Sequence, residues 1–166
     1  MFAGWQTFYQ MTGEAAATLT GLLFIVASLT SGGQNRKHER GVMLFTTPTV
    51  FHLASVLAIS ALALAPDGER SRIVLMIGWA GLSVAYTLFL AVHLARIEDP
   101  THWSDFWWYG AAPVAVYLAL AGAGAITWAH IPHAADLLAL CLIALLLVTI
   151  RNAWDLITWL ALRRDP

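Results

Sequence analysis

Charge is scarce in this chain. Only 11% of its 166 residues are Asp, Glu, Lys or Arg, where soluble domains carry about 25%. Hydrophobic residues reach 59%, against about 45–50% in ordinary domains. A soluble fold of this length cannot hide so much apolar surface beneath so thin a charged coat. Disorder, which needs low hydrophobicity and high charge, is excluded by the same figures. The single cysteine, Cys141, excludes an intrachain disulfide framework and any cysteine-rich zinc site. A net charge of −1 leaves no basic footprint for nucleic acid. No His-Glu-x-x-His, nucleophile elbow or phosphate loop occurs, so neither an enzyme nor a cofactor is expected. What remains is an all-α integral membrane protein, with the lipid bilayer as its first partner.

The apolar runs are long and cleanly punctuated. Phe8–Ser31, Gly41–Ala65, Ile73–Arg96, Trp107–Ala129 and Ala134–Leu162 each exceed the roughly 20 residues that cross a bilayer as a helix. They are too long for barrel strands and lack the alternation of barrels. The expectation is one transmembrane domain, 1–166, of five helices. The weakest break is Trp128-Ala129-His130-Ile131-Pro132-His133, whose loss would leave four spans. Ser31–Arg40 reads as a charged, glycine-started loop, Pro66–Ser71 as a turn by composition, and Ile97–Phe106 as an acidic, aromatic link. Met1–Trp5 has no basic n-region or small-residue cleavage site, so the first span is expected to stay in the mature protein.

Five spans put the termini on opposite sides. Arg36, Lys37, Arg40, Arg96, Arg163 and Arg164, six of the nine basic residues, then share one side, with Arg70 and Arg72 on the other. The positive-inside rule places the C-terminus in the cytoplasm and the N-terminus outside. Trp5, Phe8, Tyr9, Trp103, Trp107, Trp108, Tyr109 and Trp128 cluster at predicted span ends, where amphipathic rings anchor at headgroup level.

Two small-residue repeats stand out. Gly13, Ala17 and Gly21 recur every four residues on the first span, and Ala111, Ala115 and Ala119, followed by Gly122, on the fourth. Such faces allow close helix packing in lipid. Packing within one bundle is the first expectation, with contacts between subunits as the alternative. A bundle of five helices leaves little room for an internal pathway, which favours oligomers about a shared axis.

Ionisable groups inside spans are costly and tend to mark function. Arg151 and Asp155 lie four residues apart on the last span, within reach of each other. They read equally as a self-neutralising packing pair or as the lining of a polar path. His52 follows Thr46-Thr47-Pro48-Thr49 on the second span, where Pro48 interrupts one backbone hydrogen bond. Depth counting brings His52, Tyr86, Tyr117, Arg151 and Asn152 into one layer of the cytoplasmic half, with Ser83 and His93 on the face of Tyr86. Glu14 enters from the other side, about nine residues into the first span, with Thr18 one turn on and no intramembrane cation near its depth. Such a carboxylate either binds a proton or faces water. On a shared axis it would form a carboxylate ring of the kind cation pathways use.

Other sites are weaker. His130, His133 and Asp136 cluster at a turn without a specific metal-ligand spacing. His52 and His93 lie at different depths, against a shared haem. Cys141, in apolar surroundings, reads as inert.

Ala15-Ala16-Ala17-Thr18-Leu19-Thr20-Gly21-Leu22-Leu23-Phe24 and Ile150-Arg151-Asn152-Ala153-Trp154-Asp155-Leu156 together resemble stretches of a family of small bacterial multi-spanning inner-membrane proteins. The resemblance covers the two end spans. It implies a bacterial cytoplasmic membrane and no particular activity. The leading expectation is a small homo-oligomeric channel or transport protein for a small ion. The alternatives are a non-catalytic accessory subunit of a larger membrane complex and, behind it, a haem- or metal-binding redox subunit.

Overall fold

The computed structural model describes residues 4–30, 36–66, 68–96 and 106–162. Its elements are α1 (Gln6–Thr30), α2 (Arg36–Leu64), α3 (Glu69–Ala95), a π-helical segment (Phe106–Ala111) running directly into α4 (Ala112–Trp128), and α5 (Ala134–Leu162). No strand occurs among the described residues. Five stretches are long and apolar enough to cross a membrane: Gln6–Leu29, Thr46–Leu64, Glu69–Ala95, Phe106–Trp128 and Ala134–Thr158. The break before the last of these stretches is a true turn, which keeps the fourth and fifth as separate helices.

Two boundaries differ from expectation. Glu69, Arg70 and Ser71 open α3 instead of forming a turn. Gly68, at φ 76°, reverses the chain just before them, in a conformation that costs glycine little. Glu69 places negative charge on the first helical turn, where the macrodipole favours it. Arg72 folds back, its Nη1 donating to the carbonyls of Ala65 at 2.7 Å and Ala63 at 3.3 Å. A charge that looks like loop in sequence thus satisfies the open C-terminal carbonyls of α2. The second difference is that Arg36–Arg40, expected in a loop, already belong to α2. The remainder of that loop, 31–35, and most of the acidic link, 97–105, including Trp103, lie outside the described residues.

Contacts between consecutive helices fix their directions. Thr12 meets Ser60, Ser55 meets Trp79, and Tyr109 meets Asn152. Early residues of one helix face late residues of the next, so neighbours are antiparallel. α2 and α5 form the centre, with half of their span residues buried. α1 packs mainly on α2, and only 22% of its span is buried. α3 packs chiefly on α4 and the π segment. The apolar core runs through Leu53, Val56, Ile59, Leu142 and Leu145. Large apolar side chains such as Phe24, Leu29, Phe89, Leu140 and Leu147 are exposed around the outside. This is the expected surface of a bundle whose solvent is lipid.

Candidate functional site

The membrane-embedded polar groups form two separate sets, one on the outer face of α1 and one inside the bundle.

On α1 the buried positions are Tyr9, Thr12, Gly13, Ala16 and Leu23, spaced for a helix that touches its neighbour along one stripe. Gly13 belongs to that stripe. A Cβ there would sit 3.3 Å from Ser60 Cβ, while the Thr12 and Ser60 hydroxyls hydrogen-bond at 3.0 Å. Glu14 is the next residue, turned by about 100°, and it is exposed. Gln10 Nε2 donates to Glu14 Oε1 at 3.0 Å. The Thr18 hydroxyl donates to the Glu14 carbonyl at 2.8 Å. Gln10, Glu14, Ala17, Thr18 and Gly21 therefore share an open face. The expected packing stripe holds only at Gly13. Ala17 is exposed, and nothing lies within 4 Å of a Cβ built at Gly21. A four-residue repeat drifts about 40° per step around a 3.6-residue helix, which carries the stripe off the contact. The repeat on α4 behaves alike: Ala115 and Ala119 are exposed, and Tyr117, Leu120, Ala123 and Gly124 do the packing.

Inside the bundle, Thr49, His52, Ser55, Ser83, Thr87, Thr149 and Asn152 are all at most 1% exposed. His52 Nδ1 lies 2.9 Å from the Tyr117 hydroxyl. Ser55 and Ser83 sit beside that hydroxyl, and the Trp79 indole N–H donates to Ser55 Oγ at 3.0 Å. Phe51 packs on Tyr86, ring centroids 4.5 Å apart, and on Trp79. Tyr86 itself is half-buried. Three helices, α2, α3 and α4, thus meet through one polar layer.

Asn152 belongs to a second knot. Its Nδ2 donates to the Trp108 carbonyl at 3.1 Å, and the Tyr109 hydroxyl donates to the Asn152 carbonyl at 2.9 Å. Arg151 lies over the Trp108 ring, 4.7 Å from its centroid, and pairs with Asp155. Both partners of that pair are about one-third exposed, at 30% and 38%. The π segment thereby holds the C-terminal end of α5 through backbone, ring and charge together. His52 and Asn152 share full burial. Each also keeps one polar atom, Nε2 and Oδ1 respectively, without a hydrogen-bond partner among the described residues.

Sequence reading missed Trp79, Ser55, Trp108 and Tyr109 as members of these networks. For Trp79 a signal was available: an indole N–H far from both span ends needs an acceptor inside the bundle. The weaker candidates stay apart. His93 is exposed and stacks on Phe89, far in character from buried His52. His133 Nδ1 pairs with Asp136 Oδ2 at 2.9 Å, and no group of three His, Cys, Asp or Glu among the described residues is placed to hold a metal. Cys141 is buried.

No family model, no curated protein and no solved structure matches the chain.

Proposed function

We propose that the protein is a small homo-oligomeric transport protein or channel for a small cation. Its home is a bacterial cytoplasmic membrane, with the N-terminus outside and the C-terminus in the cytoplasm. The observation that carries this reading is the position of Glu14, on the side of α1 turned away from its own bundle. An ionisable group facing lipid at that depth is expensive. Water or another helix must cover it, and copies arranged around a shared axis supply both. Gly13 packs inward against α2 while Glu14, Gln10 and Thr18 face the axis. A ring of carboxylates there concentrates cations by charge, and the neighbouring amide and hydroxyl groups offer oxygen ligands to a partly dehydrated ion. The interior His52–Tyr117 layer then serves to fix the rotation of the helices that carry the ring.

Glu14→Gln keeps size and hydrogen bonding and removes the charge. In reconstituted liposomes it is expected to lower cation flux several-fold with oligomer mass unchanged. Wild-type liposomes that pass no ion over a range of ions and pH would end the transport reading. An unchanged flux in Glu14→Gln would move the pathway to the His52 and Arg151 layers.

Ala17 and Gly21 on the same open face favour one second reading. They let a foreign helix approach closely, as in an accessory subunit of a larger membrane complex. A single copy that co-purifies with other membrane proteins, in place of a ring of copies, distinguishes it.

A further inference from the structure

Between the first turn of α3 and the last turn of α4 lies a cleft of about 450 Å³, lined by Glu69, Arg70, Ile73, Trp128 and His130. Its size falls in the range of about 300–1,000 Å³ typical of small-molecule sites. One turn deeper the two helices touch. A Cβ built at Gly124 would fall 2.5 Å from Ile77 Cγ1, so Ile77 rests on the glycine and the helices are in direct contact there. Ile73 is buried and Trp128 half-open, which makes the lower wall apolar, while the rim carries charge of both signs.

Those charges are uncommitted. Arg72 is engaged with the α2 carbonyls. Glu69 and Arg70 are exposed and have no ion-pair partner among the described residues. His130 completes the rim from an unusual position. Its own N–H reaches the Thr127 carbonyl at 3.1 Å, and the Ile131 N–H reaches the Ile126 carbonyl at 3.1 Å. That is the Schellman ending of a helix, in which the residue after the cap turns left-handed and is usually glycine. Here it is a histidine at φ 54°. A side chain kept where glycine fits better, on the wall of a cleft, points to a contact that the side chain makes.

We propose that this cleft binds the headgroup of a phospholipid carrying both a phosphate and a primary ammonium. Arg70, His130 and the free first-turn N–H groups of α3 receive the phosphate. Glu69 accepts hydrogen bonds from the ammonium. Trp128 and Ile73 pack on the glycerol and the first methylenes. The cleft lies where two spans end, so the acyl chains continue down the apolar sides of α3 and α4, which selects a lipid over a soluble phosphate. The site is independent of the α1 face and of transport.

Native mass spectrometry of the purified protein, titrated with phosphatidylethanolamine, phosphatidylglycerol or phosphatidylcholine, tests it. One ethanolamine lipid per chain should survive activation that strips the other two. Arg70→Gln should lower retention of the ethanolamine and glycerol lipids several-fold. Glu69→Gln should abolish the preference for ethanolamine while leaving the glycerol lipid unaffected. His130→Gly should raise the Tm, because glycine fits the left-handed position, and yet lose lipid; the opposed changes separate a ligand contact from damage to the fold. Excess soluble phosphoethanolamine should leave the lipid in place. Its displacement of the lipid, equal retention of all three lipids, or unchanged retention in all three variants would overturn the proposal.

Discussion

His52 is a titratable group with no exposed surface, and its Nδ1 meets the Tyr117 hydroxyl at 2.9 Å. Tyr117→Phe keeps the ring and removes the oxygen, taking from the buried Nδ1 its hydrogen-bond partner. The expected cost is about 1–3 kcal/mol, read as a lower Tm in detergent. His52→Leu in the same background should cost less than it does alone, because the two groups act as a pair. Tyr86→Phe is the contrast. Its ring packs on Phe51 but is half-buried, and its loss of a hydroxyl should fall within about 0.5 kcal/mol. Depth counting along the sequence was enough to bring His52 and Tyr117 to one level, since every residue adds a fixed rise. It could not give rotation about the helix axis. It also put Arg151 and Asn152 at the level of Tyr117, whereas they bind Trp108 and Tyr109, about two turns earlier.

At the scale of the element, lipid removes the contrast on which sequence reading of a soluble helix relies. Both the buried and the outward sides of these helices are apolar, so span positions are legible and contact faces are not. α1 illustrates the point: Gly13, Ala17 and Gly21 look like one stripe, yet only Gly13 meets another helix of the chain. The π segment at Phe106–Ala111 carried no sequence signal at all, because its hydrogen-bond shift is set by what Trp108 and Tyr109 grip on α5. The glycines separate these cases experimentally. Gly124→Ala drives a methyl group into Ile77 and should lower stability by about 1–3 kcal/mol, the range for overpacking a filled core. In an Ile77→Ala background that penalty should largely vanish. Gly21→Leu meets open space within the chain and should leave the Tm of the single chain unchanged. If the open face of α1 is where copies meet, the same variant should lower oligomer mass in detergent. A fall in Tm without loss of mass would place Gly21 against its own bundle instead.

For the whole molecule, antiparallel neighbours and five spans put the start of α1 and the end of α5 at opposite ends of the bundle. Arg70 and Arg72 then lie at the end where α1 begins, and Arg72 caps the α2 carbonyls there. Two basic residues on that side thus stand against six at the other. Under the proposed orientation the positive-inside rule puts the six on the cytoplasmic side. Cysteines placed singly at Gln34 and Ser71, in a Cys141→Ala background, report on this directly. Ser71 is preferable to Gly68 because it is exposed and helical, whereas Gly68 sits at φ 76°, where a cysteine would be strained. In intact cells a membrane-impermeant maleimide should label Ser71→Cys, and it should label Gln34→Cys only after the membrane is opened. The reverse pattern would invert the protein and put Glu14 in the cytoplasmic half. Labelling of both from outside would mean that α2 does not cross and would overturn the five-span topology.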